Sequence, residues 1–271
     1  MVMEHQPNTA ECPGAVSGAY APWHLLNIPL GLEAFPATWE MANNERLVLL
    51  ALLQSLQPPV AIEIGTHFGG SLAAIKAFAG KVYSLDLDPT CRDRLAASSP
   101  NVEFLTGCSH RTLPPLIERL NEERAELGFV LVDGDHSAAG ARADVEAVLQ
   151  FRPTRPLFVL MHDSFNPDVR GGLRAVAWEA ARHVHLVELD LVAGICCRRG
   201  IPAPAMWGGL AVAILLPEPR LAPLPIHGSS QLLFDTLLPA SSHVAPGLLT
   251  RLHRGLRRVA RRILRRNRRA A

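Results

Sequence analysis

Short apolar runs alternate along most of this chain with stretches of helical periodicity, and this alternation constrains the fold more than any other feature. The apolar runs are VAIEI (60–64), KVYSL (81–85), VEFL (102–105), FVLV (129–132) and LFVLM (157–161). The helical patterns between them lie near 70–79, 90–97, 113–126, 138–150 and 172–182. Such alternation predicts βαβ units, and continuous apolar runs indicate strands buried on both faces. We therefore expect an α/β, doubly wound fold with a mostly parallel sheet.

Two further apolar runs, 185–192 and 209–216, have no helix between them. They predict an antiparallel hairpin at one edge of a seven-stranded sheet. The sequence then divides into four parts: a polar N-terminal arm (1–37), the α/β domain (38–216), a Pro-rich linker (217–246) and a basic amphipathic C-terminal helix (247–271).

The charge of the chain is segregated into its last residues. Residues 251–271 contain ten arginines and no acidic residue, so 17 of the 27 basic residues remain elsewhere against 25 acidic ones, a formal charge of −8. Apolar residues recur within this segment at three- and four-residue steps, which predicts an amphipathic helix. An anionic membrane surface suits such a helix. Packing on the acidic body is an equally favoured alternative, and nucleic acid is the less favoured one.

The cysteine content and the lack of long apolar runs favour the cytoplasm. The five cysteines are an odd number without metal-type spacing, which is typical of a reducing compartment. No apolar run approaches the roughly 20 residues that span a bilayer, and no basic start precedes an apolar N-terminal run. We expect a cytoplasmic protein that contacts a membrane only peripherally, through its tail; association of identical copies stays open.

The first strand leads into EIGTHFGGS (63–71), where an acid, glycines and a serine meet the start of a helix. Ligands bind at this end of an open α/β sheet, and glycines let the backbone approach them. The G-x-G-x-x-G fingerprint fails because His67 takes its third position. Glu63 at the strand end suits a ligand amino group better than a pyrophosphate. Asp86, in LDLDP after the second strand, is placed to bind ribose hydroxyls. The alternative is that Gly65 and Gly69 only turn the chain and that Asp86 is a solvated strand end.

The fourth and fifth strands also end in polar residues, in VDGDH (132–136) and MHDSFNPD (161–168). Parallel strand ends lie side by side, so Asp133 and Asp163 are expected to face one another. Two carboxylates at close range repel unless they share a proton or a cation, and oxygen ligands favour Mg²⁺, Ca²⁺ or Mn²⁺. His162 as a third ligand would favour a softer metal. The alternative is that no metal binds and that His136 and Asp144 form a helix-capping pair.

The motifs EIGTHFGGS, LDLDP, TGCSH and VLVDGDHS, in this order, resemble those of class I S-adenosylmethionine-dependent methyltransferases over about residues 38–216. They are most similar to the small O-methyltransferases of the catechol, caffeoyl-CoA and macrocin type, whose helix before the first strand also resembles the one carrying Met41 and Glu45. The resemblance implies that Glu63 and Gly65 lie by the methionine part of S-adenosylmethionine, that Asp86 binds its ribose, and that Cys108 and Ser109 flank its adenine. The full implied cofactor set is Glu63, Gly65, Gly69, Ser71, Asp86, Cys108, Ser109 and Asp133.

The same resemblance implies a divalent metal, Mg²⁺ foremost, held by Asp133, Asp163 and His162. Related enzymes usually place a second oxygen ligand, Asp or Asn, beside the fifth-strand aspartate, whereas Asp163 has His162 and Ser164 as neighbours, so the pattern departs from the family there. The general base falls on His136 by the catechol-type spacing and on Asp135 by the macrocin-type spacing. We favour His136, because its unperturbed pKa is near neutrality.

The expected function is a metal-assisted O-methyltransferase that acts on a hydroxyl of a small-molecule acceptor: a sugar, a glycolipid or a secondary metabolite. Two alternatives stay open. One is a metal-dependent hydroxylase, since a cephalosporin-hydroxylase-like group shares a similar D-G-x-H pattern. The other is a membrane-associated protein that binds the cofactor without catalysis. The expected acceptor walls are the arm around Trp23, the loop 164–171 and the segment 198–208 with Trp207.

Overall fold

The computed structural model describes residues 39–197 and 204–244. Its helices are α1 (Asn43–Leu56), α2 (Gly70–Phe78), α3 (Thr90–Leu95), α4 (Ser109–Glu122), α5 (Ala138–Val148), α6 (Pro167–Ala175) and α7 (Gln231–Leu237). Its strands are β1 (Val60–Ile64), β2 (Lys81–Asp86), β3 (Val102–Thr106), β4 (Leu127–Val132), β5 (Leu157–His162), β6 (Val184–Val192), β7 (Ile195–Cys197), β8 (Ala205–Trp207), β9 (Leu210–Leu215) and β10 (Ile226–His227). The predicted N-terminal arm and basic C-terminal helix lie outside the described residues.

Within these ranges the main sheet has eight strands in the order β10-β6-β9-β5-β4-β1-β2-β3. β9 runs antiparallel to both of its neighbours, and the other pairings are parallel. All six residues of β4, near the middle of the order, are buried. The mostly parallel, doubly wound fold is therefore confirmed.

Alternate residues of β4 pack into two different apolar clusters, because successive side chains of a strand point to opposite faces. Phe129 and Leu131 join the cluster that contains Leu49 of α1 and Ile75 of α2. Val130 and Val132 join the other cluster, which α4, α5 and α6 cover through residues such as Leu113, Val145 and Leu173. The sheet is thus covered on both faces, and its strand ends are left to the loops.

The predicted hairpin forms, but it does not make the edge of the sheet. β6 and β9 pair antiparallel as expected, and β9 lies between β5 and β6. β10 then pairs parallel to the outer side of β6 through Ile226 and His227. The expected count of seven strands is wrong by this one short strand. Between β6 and β9 the chain forms a separate antiparallel pair, β7 with β8.

The segment expected to be a linker packs against the domain instead. Arg170 on α6 is almost fully buried; it donates hydrogen bonds to Asp190 on β6 at 2.7 and 3.0 Å and to Gln231 on α7 at 2.6 Å. Leu224 and Phe234 are buried. Proline in this segment limits regular structure without preventing contact with the sheet edge, so its described part, 217–244, belongs to the folded body.

Two helices begin earlier than predicted. α4 begins at Ser109, four residues before the expected start. α6 begins at Pro167, because Asn166 caps the helix by accepting a hydrogen bond from the Asp168 N–H and because proline fits the first helical turn. Among the described helices, none has the length and apolar character needed to cross a lipid bilayer.

Candidate active site

The loop after β1 presses directly on the end of β4, and Gly65 makes this contact possible. Gly65 has φ +90°, and a Cβ there would lie 2.0 Å from the carbonyl oxygen of Asp133. The Asp133 N–H donates to the Ile64 carbonyl at 2.8 Å, which ties the two strand ends together. Any side chain at position 65 would collide with main-chain atoms. The glycine loop and the VDGDH turn therefore share one backbone contact.

Asp86, at the end of β2, holds the glycine loop closed through its carboxylate. Its Oδ2 accepts hydrogen bonds from the N–H groups of Thr66 and His67, both at 2.8 Å, and its Oδ1 accepts one from the Asp88 N–H at 2.8 Å. The loop enters α2 at Gly69, which has φ +81°. Asp86 thus lies at the strand end as predicted, and it organises the loop through main-chain contacts.

Glu63 lies beneath this loop and has no solvent exposure. Its Oε1 accepts a hydrogen bond from the Ser71 hydroxyl at 2.6 Å, and its Oε2 accepts one from the Ser84 hydroxyl at 3.3 Å. Burial, aided by the nearby charge of Asp133, raises the pKa of Glu63 to about 8. The carboxyl is therefore mostly protonated at neutral pH. Here Glu63 supports the loop from below, whereas the resemblance implies a contact with the cofactor.

The TGCSH loop ends at α4, with Cys108 at the N-cap position and Ser109 as the first helical residue; both are half-buried. The next residue, His110, has its Nε2 3.6 Å from Oδ1 of the fully buried Asp144 on α5. The alternative pairing of His136 with Asp144 is wrong, because His136 contacts the strand-end aspartates. His136 and Asp144 are close in sequence, but Asp144 packs toward the loop that follows β3.

The ends of β4 and β5 bring two aspartates and two histidines together, as the parallel sheet predicts. His136 Nε2 lies 3.0 Å from Asp163 Oδ2 and 3.4 Å from Asp133 Oδ1. His162 Nδ1 lies 3.0 Å from Asp133 Oδ1 and 3.7 Å from Asp163 Oδ2. Asp163 has φ +55°, an uncommon backbone conformation for a residue other than glycine. Each of the two carboxylates therefore lies beside both imidazoles, one from the end of β4 and one from the end of β5.

These contacts shift the charge state of the histidines strongly. Hydrogen bonds to Asp133 and then to Asp163 raise the pKa of His136 to about 10. Burial opposes the charged form of Asp133, but the charge of His162 and hydrogen bonds from both histidines outweigh it and hold the pKa of Asp133 at about 2. Burial likewise lowers the pKa of His162, yet the Asp133 charge leads the contributions that raise it well above its usual value. At neutral pH His136 is thus a cation between two carboxylates.

Asp135, the other predicted base, lies in the turn before α5, whose N-cap residue is Ser137. Its Oδ1 accepts a hydrogen bond from the Ser137 N–H at 2.8 Å, and this bond lowers the pKa of Asp135. A Cβ at Gly140, in the first turn of α5, would lie 2.2 Å from Asp135 Oδ2. This carboxylate is thus already committed to the turn and the helix, and its low pKa makes it a weaker base than a neutral histidine.

Glu45, a residue that sequence reasoning left without a role, reaches the same cluster from α1. Its Oε2 lies 3.2 Å from His162 Nε2, and its Oε1 accepts a hydrogen bond from the Gly209 N–H at 2.6 Å. The signal was visible in the sequence: an acid shares one helical face with the apolar residues Leu49 and Leu53, at four-residue steps. All three are buried.

Trp207 is the predicted acceptor-wall residue that the structure places next to the cluster. Its ring lies edge-to-face with His136, at 5.8 Å between centroids and 87° between planes. Trp207 is half-buried, whereas Ser164 and Phe165 of the predicted loop wall are fully buried. Trp23 lies outside the described residues. An aromatic surface thus lies beside the histidine that contacts both aspartates.

The donor atoms present here fit a divalent cation. One ligand atom each from Asp133, His136 and Asp163 lies within 4.8 Å of the other two. His162, the predicted third ligand, directs its Nδ1 toward Asp133 and its Nε2 toward Glu45. Oxygen and imidazole donors of this kind suit first-row divalent metals as well as Mg²⁺.

The central part of the chain is similar to known methyltransferases. Residues 62–164 match a family model described as a methyltransferase domain. The rhamnosyl O-methyltransferase of Mycobacterium tuberculosis strain H37Rv is 28% identical over 145 residues, which are 49% of this chain and 57% of that protein. The rhamnosyl O-methyltransferase of Mycobacterium leprae is 27% identical over 165 residues, 55% of this chain and 68% of that protein. The chain thus spans 57% and 68% of the length of these relatives. Asp133, His136, His162 and Asp163 lie within the segment that the family model matches, whereas Glu45, Trp207 and Gly209 lie outside it.

Among solved structures, the O-methyltransferase from Bacillus cereus in complex with SAH resembles this chain with a TM-score of 0.49 and 16% sequence identity. The alignment covers 74% of this chain and 93% of that one.

Proposed function

We propose that this chain, whose residues 62–164 match a methyltransferase-domain model, transfers the methyl group of S-adenosylmethionine to a hydroxyl of a sugar-type acceptor. The observation that carries the proposal is the placement of His136 between Asp133 and Asp163, at the sheet edge shared with the glycine loop. Methyl transfer needs its two reactants held in line and a group that accepts the hydroxyl proton. Both requirements can be met at this edge.

The cofactor would bind over the glycine loop and the start of α2. Gly65 and Gly69 let the loop turn tightly through their positive φ angles, and Ser71 and Ser109 lie at the starts of α2 and α4, where free N–H groups are available. Asp86 would share its carboxylate between the loop and the ribose, and Cys108 would flank the adenine. Glu63 would act indirectly, because its hydrogen bonds to Ser71 and Ser84 hold the loop in place.

His136 is the proposed general base, and Asp135 is less suited to that role. The Asp135 carboxylate is engaged by Ser137, and its pKa is lowered. His136 becomes competent only when it has lost its proton, so the carboxylates beside it control the pH at which it can accept another. The half-buried face of Trp207 next to it suits the apolar face of a sugar ring.

We also propose that the acid cluster binds a divalent cation through Asp133, Asp163 and a histidine, either His136 or the predicted His162. The cation would neutralise the paired carboxylates and polarise an acceptor hydroxyl. A histidine that coordinates the metal cannot also accept the hydroxyl proton. If His136 is the base, the histidine ligand would therefore be His162. Asp133 would contribute to this site and to the cofactor edge at once.

A direct assay tests the proposal. Full-length protein is incubated with S-adenosylmethionine and a panel of acceptors: rhamnose glycosides, a rhamnose-bearing glycolipid and a catechol. We expect S-adenosylhomocysteine release with the sugar acceptors and a mass gain of one methyl group on the sugar. Release with none of the acceptors, despite tight cofactor binding, would favour the non-catalytic alternative. Oxygen-dependent hydroxylation without S-adenosylhomocysteine would favour the hydroxylase.

The name of the relatives, rhamnosyl O-methyltransferase, supports a sugar acceptor. The basic tail supports a position of the protein, or of its acceptor, at an anionic membrane. The tail lies outside the described residues, so its role rests on its sequence. Full-length protein is expected to co-sediment with anionic liposomes more than the 1–246 variant. Equal sedimentation of the two proteins would remove the membrane from the proposal.

A further inference from the structure

Glu45 is a buried carboxylate outside the segment that matches the methyltransferase family. It lies in the first turn of α1 and is 2% exposed. A buried carboxylate is costly unless its oxygens are paired. Oε2 accepts a hydrogen bond from the Ala42 N–H at 2.6 Å, which is the capping contact of its own helix. Its remaining contacts, described above, reach β5 and the turn before β9.

The first of these contacts orients an aspartate of the proposed site. His162 places Nε2 3.2 Å from Glu45 and Nδ1 3.0 Å from Asp133, so an acid stands at each of its ring nitrogens. An imidazole held at both nitrogens has its ring plane fixed. Asp133 is consequently held from the α1 side by a residue that itself cannot rotate.

The second contact holds the turn that carries Trp207. The Gly208 N–H donates to Asp163 Oδ1, and the Gly209 N–H donates to Glu45 Oε1 at 2.6 Å. Both glycines have positive φ, +70° and +86°, and a Cβ at Gly208 would lie 2.5 Å from Glu45 Oε1. The turn therefore fits against Glu45 only with its present backbone, and Trp207 enters the site from it.

We propose that Glu45 is a positioning residue of this site, acting on Asp133 through His162 and on Trp207 through Gly209. It thereby links the orientation of the acid cluster to the position of the acceptor wall. The inference rests on the proposed function for its kinetic consequences, while the linkage itself is a property of the fold. Glu45 reaches the cofactor edge only through His162 and Asp133, so the cofactor affinity should change less than the acceptor KM.

The test is Glu45→Gln, which keeps the size of the side chain. Its amide NH₂ must point at one of the N–H donors that the carboxylate now satisfies, and it removes the charge beside His162. We expect kcat to fall by about tenfold to a hundredfold, as for partners that orient reactive groups. The acceptor KM should rise, and the dissociation constant of S-adenosylhomocysteine should stay within about threefold of its value in the unmodified protein.

Ala51→Gly is the matched control, because Ala51 is exposed on the same helix. Glycine there costs about 1 kcal/mol of helix stability, similar to the about 1 kcal/mol lost with a helix cap. We expect this variant to keep the kcat and acceptor KM of the unmodified protein. Equal kinetic losses in the two variants would show that Glu45 only stabilises α1, and the proposal would be overturned.

A second readout separates this inference from the proposed function. The chain has four tryptophans, so four indole N–H signals are expected in a ¹⁵N–¹H spectrum, and Trp207→Phe assigns one of them. Glu45→Gln should shift the Trp207 indole signal and the His162 ring nitrogens, and Ala51→Gly should leave both in place. If neither signal moves, Glu45 positions nothing, whatever the enzyme assay reports. If both move while no acceptor is methylated, the inference stands and the proposed function fails.

Discussion

His136 Nε2 lies 3.0 Å from Asp163 Oδ2 and 3.4 Å from Asp133 Oδ1, so one imidazole joins carboxylates that follow two neighbouring strands. This relationship concentrates the proton chemistry of the site in a single side chain. It also places that side chain where a cation would compete with it.

Replacing His136 with glutamine should abolish most turnover while preserving the cofactor site. Glutamine approximates the reach of the ring but cannot accept a proton, and loss of a general base lowers rates by about 10² to 10⁴. Binding of S-adenosylhomocysteine, measured by calorimetry, should change by less than about threefold. His185→Gln on β6, whose histidine contacts the Glu218 carbonyl, serves as the control. Turnover by His136→Gln close to that of the control would exclude His136 as the base.

The stability contributed by His136 should decrease as pH rises. Its folded pKa is about 10, above the unfolded value of about 6.5, so its contribution is complete below about pH 6.5 and is lost as pH rises through about 10. With chelator present, His136→Gln should therefore lower Tm most near pH 6 and least above pH 10. Thermal unfolding of both proteins across this range measures the trend. A difference in Tm that is independent of pH would contradict the ion-pair geometry.

Glu63→Gln should stabilise the protein at alkaline pH. The folded pKa of Glu63, about 8, exceeds the unfolded value of about 4.3, so its contribution is full below that value and disappears as pH rises through about 8. Glutamine stays neutral and can still accept from Ser71, so Tm of the variant should exceed that of the unmodified protein at pH 9 and approach it at pH 5. Cofactor affinity should be nearly unchanged. A loss of affinity of a hundredfold, about 2.7 kcal/mol, would instead indicate that Glu63 contacts the cofactor.

Removal of divalent metal should lower turnover and shift its pH dependence. Without a cation His136 keeps both carboxylate partners, so the acid limb of the pH–rate profile should lie near pH 10 with EDTA and at lower pH with Mn²⁺. Asp133→Asn should weaken Mn²⁺ binding, followed by electron paramagnetic resonance, by more than about tenfold. Asp93→Asn on the exposed surface of α3 is the control. If EDTA leaves turnover unchanged and Asp133→Ala stays active, the metal proposal is wrong.

Trp207→Ala should raise the acceptor KM by about tenfold, because stacking on one aromatic face contributes roughly 1 to 1.5 kcal/mol. Trp207→Phe should retain most of the affinity. Cofactor affinity should be the same in both variants. Should alanine and phenylalanine give the same acceptor KM as tryptophan, the aromatic face does not contact the acceptor.

The alternation of apolar runs was enough to predict the sheet and the edge at which its polar strand ends meet. These are properties of local periodicity and of parallel pairing, so they can be predicted from the order of residues alone. The two-residue strand β10 carries no comparable signal, since Pro223 and Pro225 precede it and it forms by pairing with the outer edge of β6. For the same reason the described part of the predicted linker could not be recognised as folded.

The partners of individual polar side chains were less predictable. Glu45 and His162 are 117 positions apart in sequence, and no local pattern encodes their meeting. His136 is nearer to Asp144 in sequence than His110 is. The packing of α5 against α4 nevertheless brings His110, and not His136, beside Asp144. The burial of Glu63 could not be inferred either, because the same sequence pattern fits a strand-end acid that faces the loop and one that faces the core.

The contact of Gly65 with the Asp133 carbonyl carries a mechanical consequence. The distance between the proposed methyl-donor side and the proposed proton-accepting side is set by two main-chain segments in direct contact, with no adjustable side chain between them. Substitutions of the reactive residues would therefore change reactivity without changing this distance. Adding a single methyl group, as in Gly65→Ala, would move the two halves apart and leave every reactive residue intact but out of register.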